Sequence, residues 1–166
     1  MDYRTVFATL GNETPLAADC GQVCGGACCR EGADGELGML LFPGEPVPSF
    51  GRVLEAAGGR LFVCGGVCRR EERPLACRLF PLFPALGQDG RVHAVYDPRA
   101  FHVCPLLRTR QQVRLERSFV RAVRRAGRLL AADNRCRAFL QEQTAELQEI
   151  DRFLRLSGER PPICRR

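Results

Sequence analysis

The spacing of apolar residues changes near residue 108. From Thr109 onward they recur every three or four positions, which predicts two consecutive helices. Asp133 and Asn134 are expected to separate the helices and cap the second one, which Ser157 and Gly158 would end. The first helix is expected to bury Val113, Phe119, Val120, Val123, Leu129 and Leu130, and the second Cys136, Phe139, Leu140, Leu147, Ile150, Phe153 and Leu154. Two helices of this length favour an antiparallel hairpin.

Before residue 108 the chain is rich in glycine, proline and cysteine, and its apolar segments are short. Residues 38–42, 60–63 and 91–96 are predicted strands. Residues 79–84 are apolar but contain Pro81 and Pro84, so they are predicted to form neither a regular helix nor a central strand. We expect this segment to pack as an extended wall beside the cysteines.

Length and composition narrow the class of protein. The 166 residues suit one domain, and 45% of them are hydrophobic, which is enough for a buried core. No apolar run approaches the roughly 20 residues that a membrane-spanning helix needs. Residues 5–10 are too few and too polar for the core of a signal peptide. These features predict a cytoplasmic protein.

Cysteine is the most informative residue type in this chain. Eight of the ten cysteines lie between residues 20 and 104, whereas Cys136 is on an apolar helix face and Cys164 is in the tail. The cytoplasm keeps thiols reduced, so clustered cysteines there indicate metal ligands. The candidate ligands are Cys20, Cys24, Cys28, Cys29, Cys64, Cys68, Cys77 and Cys104. Cys136 is expected to be a core residue, and Cys164 to bind no metal.

The residues around these cysteines support that interpretation. Glycine pairs follow Cys24 and Cys64, and glycine lets the backbone curl so that several thiolates converge on one ion. Eight cysteines could supply two four-thiolate sites, each with the usual coordination number of structural zinc. An iron–sulfur cluster also uses four cysteines and is the alternative. Adjacent Cys28 and Cys29 could serve two metals, or one could ligate while the other packs.

A family resemblance lies in two segments. Cys20, Cys24 and the Cys28-Cys29 pair are followed by an Arg-Pro-x-x-Cys-Arg-x-Phe-Pro segment at residues 73–81. In these features the chain resembles the YkgJ-type cysteine-cluster proteins, a zinc- or iron-chelating family with a CxxCxxxCC signature. The chain departs from that signature because three residues, not two, separate its first two cysteines. The resemblance covers about half the chain and implies metal chelation without implying a reaction.

Positive charge is concentrated in the C-terminal third. All 25 basic residues are arginine. Residues 1–107 carry a net charge of −2, whereas residues 108–166 carry +8. Six arginines step by four, three, four, three and four positions along the first predicted helix, and so share one face: Arg110, Arg114, Arg117, Arg121, Arg124 and Arg128. This face is either a contact surface for an anionic partner (nucleic acid, an acidic protein or a membrane surface) or the solvated side of an amphipathic helix.

Other residues near the cysteines have two interpretations each. Arg73 and Arg78 flank Cys77 and could neutralise thiolate charge or bind an anionic ligand. Alternatively, they form structural salt bridges, for which the candidate partners are Glu45, Glu71, Glu72 and Asp97. His102 precedes Cys104 by two positions and could replace a cysteine as a ligand, or it is a surface or packed residue.

Together these patterns predict an α+β fold. An irregular, cysteine-rich, metal-stapled region with short strands, residues 1–107, is expected to pack against a C-terminal helical hairpin and tail, residues 108–166, in one compact unit. The leading function is metal binding. A redox or cluster-dependent enzyme or accessory protein, and an arginine-rich adaptor, are the alternatives.

Overall fold

A computed structural model describes residues 1–29, 38–64, 68–108 and 114–158. The helices are α1 (Tyr3–Leu10), α2 (Cys20–Cys24), α3 (Leu75–Leu79), α4 (Ala100–Val103), α5 (Pro105–Arg108), α6 (Arg117–Ala132) and α7 (Asn134–Leu156). The strands are β1 (Gly38–Leu40), β2 (Arg52–Ala56), β3 (Gly59–Val63), β4 (Leu82–Leu86) and β5 (Val92–Tyr96). Short 3-10 turns cover Ala27–Cys29 and Arg70–Glu72. This mixture confirms the predicted α+β class.

The strands form two antiparallel sheets. β3 lies between β1 and β2 in one sheet, and β4 pairs with β5 in the other. All three predicted strands are present, although the first ends at Leu40 and does not continue to Phe42. The sequence pattern does not predict β2, because four of its five residues are exposed and apolar alternation is missing.

The segment with two prolines, residues 79–84, is more regular than the sequence predicts. Leu79 ends α3, and β4 begins at Leu82 and includes Pro84. A proline is tolerated there because, among the described strands, β4 pairs only with β5. All of β4 is buried, since α6 and α7 both pack against it. From Leu82 onward the segment therefore belongs to an edge strand that α6 and α7 cover. An edge strand is one of the few places in a sheet that tolerate proline.

α6 and α7 are the two predicted C-terminal helices, and they pack against each other. The carboxylate of Asp133 accepts hydrogen bonds from the amides of Arg135 and Cys136, which confirms the predicted cap of α7. α6 begins at Arg117, which is later than predicted. The three residues before it, 114–116, are not helical. The preceding residues 109–113, and with them Arg110 and Val113, lie outside the described residues.

The residues that are buried in α6 and α7 are largely those that the spacing of apolar residues in the sequence predicts. Phe119, Val123 and Leu130 of α6 are inaccessible to solvent, and Leu154 is the last buried residue of α7. Phe153 is 67% exposed, so the prediction that it is buried is wrong. The buried stripe of α7 narrows to Leu154 in the last turns of the helix, which leaves the neighbouring Phe153 in solvent.

α1 joins the N-terminal segment to the same core. Tyr3, Val6 and Leu10 are buried on one side of α1, which packs against α6. One hydrophobic cluster consequently contains residues from both α1 and the C-terminal helices. Among the helices that the structure describes, none is long and apolar enough to cross a membrane.

Gly127 allows α6 to lie close to the β4–β5 hairpin. A Cβ atom at this position would lie 2.5 Å from the Cβ of Pro84 and 2.6 Å from the Cγ1 of Val92. We therefore expect Gly127→Ala to lower the free energy of unfolding by about 1–3 kcal/mol, the usual cost of overpacking. In an exposed helix the same substitution would raise it by about 1 kcal/mol. Urea denaturation measures the change, and a stabilised variant would contradict the close approach.

Candidate metal centre

The first cysteines are placed by a short, capped helix. Cys20 and Cys24 are the first and last residues of α2. The carboxylate of Asp19 caps this helix by accepting a hydrogen bond from the amide of Gly21 at 3.2 Å. Asp19 is thus the residue that fixes where α2 begins, and the sequence interpretation missed it. The available signal is a cap-forming residue directly before Cys20.

Two glycines turn the chain from α2 towards the adjacent cysteines. Gly25 and Gly26 have φ angles of 63° and 68°, a left-handed conformation that glycine adopts at little cost. The 3-10 turn that follows carries Cys28 and Cys29, whose sulfur atoms are 3.8 Å apart. The two adjacent side chains are therefore neighbours and do not point apart. The second glycine pair, residues 65 and 66, lies outside the described residues.

The contact between Cys28 and Cys29 shifts the pKa values of the two thiols in opposite directions. The pKa of Cys29 is lowered, first by a hydrogen bond from Cys28 and then by the positive charge of Arg73 and a hydrogen bond from Cys64. The same contact with Cys29, together with burial, raises the pKa of Cys28. The lowered pKa favours the thiolate of Cys29, and the thiolate is the form that ligates metals.

Three further cysteines lie near Cys29. Cys77, in α3, has a raised pKa, first because it is buried and then because the charges of Cys29, Cys64 and Cys68 are close to it. Cys64 follows β3, and Cys68 precedes the second 3-10 turn. Cys29, Cys64, Cys68 and Cys77 thus form a group of four neighbouring thiols.

α2 and the residue that follows α4 contribute a second set of neighbouring cysteines. Burial raises the pKa of Cys20, and the charges of Cys24 and Cys104 raise it further. Cys104 follows α4, which packs against the 3-10 turn of Cys28. The charges of Cys77 and then of Cys20 contribute to the raised pKa of Cys28, so Cys28 is close to cysteines of both sets. Cys20, Cys24 and Cys104 are therefore a second set of neighbours, and Cys28 lies between this set and the first.

Arg73 contacts Cys68 and also Asp19, the residue directly before Cys20. Its Nη1 and Nη2 atoms each donate to a carboxylate oxygen of Asp19 at 3.0 Å, and its Nε atom donates to the sulfur of Cys68 at 3.4 Å. The hydrogen bond from Arg73 also lowers the pKa of Asp19. The salt-bridge partner of Arg73 is therefore Asp19 and not one of the four acidic residues considered from the sequence. The same guanidinium contacts a thiol, as the charge-neutralising interpretation requires.

Arg78 is buried without an ion pair to any described carboxylate, so the salt-bridge interpretation is wrong for it. Its guanidinium lies 5.1 Å from the ring centre of Phe7 and donates to the carbonyl of Gly11. Burial lowers the pKa of Arg78, and the charges of Arg70 and Arg73 lower it further. Three arginines consequently stand close together beside the thiols. Their positive charge would offset the negative charge of thiolate ligands.

Glu45 supports the position of Cys77 and was not identified from the sequence as a buried residue. It is 3% exposed, and its carboxylate accepts hydrogen bonds from the amides of Phe42 and Leu75. These bonds connect the chain after β1 to the start of α3, the helix that contains Cys77. The sequence interpretation considered Glu45 only as a salt-bridge partner of Arg73 or Arg78, because nothing in a turn sequence indicates a buried carboxylate.

The remaining candidates are exposed, buried in the helical hairpin or outside the described residues. His102 is exposed on α4. Cys136 is inaccessible to solvent at the start of α7, with its sulfur 3.4 Å from the hydroxyl oxygen of Tyr3. Cys164 is outside the described residues. None of the nine described cysteines forms a disulfide with another.

The arginine stripe is shorter than predicted. Arg117, Arg121, Arg124 and Arg128 are exposed on α6, whereas Arg114 is exposed in the non-helical segment before it. We call these five residues the arginine surface. None of the five forms an ion pair with a described carboxylate.

The eight candidate ligands are neighbours but do not surround a common point. All eight are described, and across the described residues no three Cys, His, Asp or Glu side chains are placed so that they could hold one metal ion. Comparison with models of protein families, with curated proteins and with solved structures found no significant match. Any function therefore has to be inferred from the residues of this chain.

Proposed function

We propose that this chain is a metal-binding protein with two four-cysteine sites. The observation that carries the proposal is the gathering of eight thiols from separate parts of the chain into one region. Four thiolates are the complete ligand set of a structural zinc site and also of an iron–sulfur cluster. We favour zinc, because four thiolates satisfy it without a redox partner.

The surroundings of the thiols suit ionised ligands. Cys29 has a lowered pKa, and Arg73 donates a hydrogen bond to the sulfur of Cys68. A core of neutral buried cysteines would need neither feature. Because no three thiols yet surround one point, the side chains have to move together when a metal binds. Binding would then order the loops that carry them, which couples metal affinity to stability.

The proposed compartment and family follow from the same residues. Thiolate ligands need a reducing environment, so we place the protein in the cytoplasm. The resemblance of residues 20–29 and 73–81 to the YkgJ-type cysteine-cluster proteins supports a chelating role. An iron–sulfur cluster in these sites would instead favour a redox carrier or an accessory protein of an enzyme.

Elemental analysis of protein purified without oxygen tests the proposal. We expect about two zinc ions per chain, since eight thiolates fill two tetrahedral sites. The sample should then be colourless. Iron with acid-labile sulfide and visible absorbance would support the cluster alternative. A chain that contains no metal, and takes up neither zinc nor iron on reconstitution, would refute metal binding.

The arginine surface supports a second candidate function, contact with an anionic partner. The five guanidinium groups are exposed and lack carboxylate partners among the described residues, although like charges so close repel one another. An anionic partner would relieve that repulsion. Retention of the chain on a polyanion column at low salt, and its release by moderate salt, would support this function. The absence of retention would count against it.

A further inference from the structure

The first turn of α6 and the residues before it form a polar groove. Its volume is about 520 Å³, and it is lined by Arg114, Leu115, Glu116, Arg117, Ser118 and Arg121. Three of the six lining residues are arginines of the arginine surface, and Glu116 is the only acidic residue among them. A negatively charged group that entered the groove would thus meet several guanidinium donors.

The arginine surface continues from this groove along α6. Arg117, Arg121, Arg124 and Arg128 follow one another at about one helical turn each, roughly 4.5–6 Å along the axis. They cover about 16 Å of the helix, a length that faces several phosphates of a nucleic acid strand. The charges are therefore arranged in a line and not around a single point.

The composition of the surface separates the three classes of anionic partner. Association with a membrane surface or with another protein commonly buries apolar residues beside the charges. The exposed large apolar side chains of the described residues all lie outside α6 and its groove: Met1, Val23, Val47, Leu54, Val95, Phe153 and Leu156. A contact made by guanidinium groups alone is typical of binding to a phosphate backbone.

We propose that the groove and the arginine surface bind the phosphate backbone of nucleic acid without reading its sequence. This inference rests on the second candidate function, and it names the partner. Arginine suits the role because its planar fork forms paired hydrogen bonds with phosphate oxygens. No base-reading or base-stacking residue is needed, since phosphate contacts alone give sequence-independent affinity.

The test uses metal-saturated protein and a fluorescent DNA duplex of mixed sequence, titrated over a range of salt concentrations. The test variant replaces Arg114, Arg117 and Arg121 with glutamine. The control variant removes the same charge from exposed positions of α7, with Arg135, Arg137 and Arg152 replaced by glutamine. The wild type should bind with a steep salt dependence. The groove variant should lose affinity at least tenfold, and its log–log salt slope should be shallower by about two to three. The control should change both much less.

The results distinguish a failure of nucleic acid binding from a failure of the second candidate function, contact with an anionic partner. Equal losses in the two variants would overturn the groove as the contact and leave only a general charge effect. Binding to poly-glutamate or to anionic phospholipid vesicles, without binding to the duplex, would overturn nucleic acid but keep an anionic partner. No binding to any of the three polyanions at low salt would overturn both.

Discussion

Replacing Cys29 and Cys77 with serine should remove one metal equivalent from the protein and leave the other in place. Both residues belong to the group that includes Cys64 and Cys68, and two remaining thiolates do not complete a tetrahedral site. Replacing Cys20 and Cys24 should remove the other equivalent, because those thiols belong to the Cys104 group. Metal content per chain, measured by mass spectrometry of the native protein, distinguishes these results.

The same variants should show the largest losses of stability of any substitution considered for this chain. Structural zinc contributes apparent binding free energies of about 10–16 kcal/mol in small zinc-binding peptides, and binding is coupled to folding there. A lost site should therefore lower the melting temperature markedly and make the loops around it sensitive to protease. The matched control is Cys136→Ala, which removes a buried thiol from the helical hairpin and should keep both metal ions.

Two results would contradict the two-site arrangement. If either double variant lost both metals at once, the eight thiols would form one joint centre. If Cys24, Cys28 and Cys77 could all be replaced by serine without loss of metal or of melting temperature, the assignment of ligands would be wrong altogether.

The elements that the sequence predicts well are those whose signals are local. α7 is defined by a cap residue, an apolar period and a terminal glycine, which all lie within its own segment, and the structure confirms both of its ends. The predicted start of α6 is too early, because the helical spacing of the arginines extends back to Arg114, where the chain is not helical. Spacing shows which residues would share a face if a helix formed, but it does not show that one forms.

The arrangement of the candidate centre depends on contacts between distant parts of the chain. The sequence identifies eight clustered cysteines and leaves open whether adjacent Cys28 and Cys29 serve different metals, whereas the structure brings the distant Cys64 beside Cys29. Arg73 is likewise paired with Asp19, which is 54 positions away, and not with a nearby acidic residue. Such pairings follow from how the elements pack, and no spacing rule within one segment contains them.

Glu45→Ala should lower the free energy of unfolding by about 2–5 kcal/mol, because it leaves two buried amides without hydrogen-bond acceptors. These are the amides of Phe42 and Leu75, which the Glu45 carboxylate now joins. Glu45→Gln is the matched variant. Its amide oxygen can still accept one of the two bonds, but its NH₂ group would face the other donor, so we expect a smaller loss. Urea denaturation of the metal-saturated proteins measures both changes.

The pH dependence gives an independent check on Glu45. Burial raises its pKa above the ordinary value of 4.5, in spite of the two backbone hydrogen bonds that oppose the shift. Below the ordinary value the folded and unfolded states both hold the proton. As the pH rises from there to the raised pKa, the unfolded state releases its proton first, so stability falls and then levels off. Glu45→Gln cannot titrate, so its stability relative to the wild type should improve over the same interval. Measuring the difference between the two proteins at each pH cancels the titration of the cysteines. If that difference stays constant from pH 4 to 8, about the range that brackets a shifted carboxyl group, the burial of Glu45 does not perturb its ionisation.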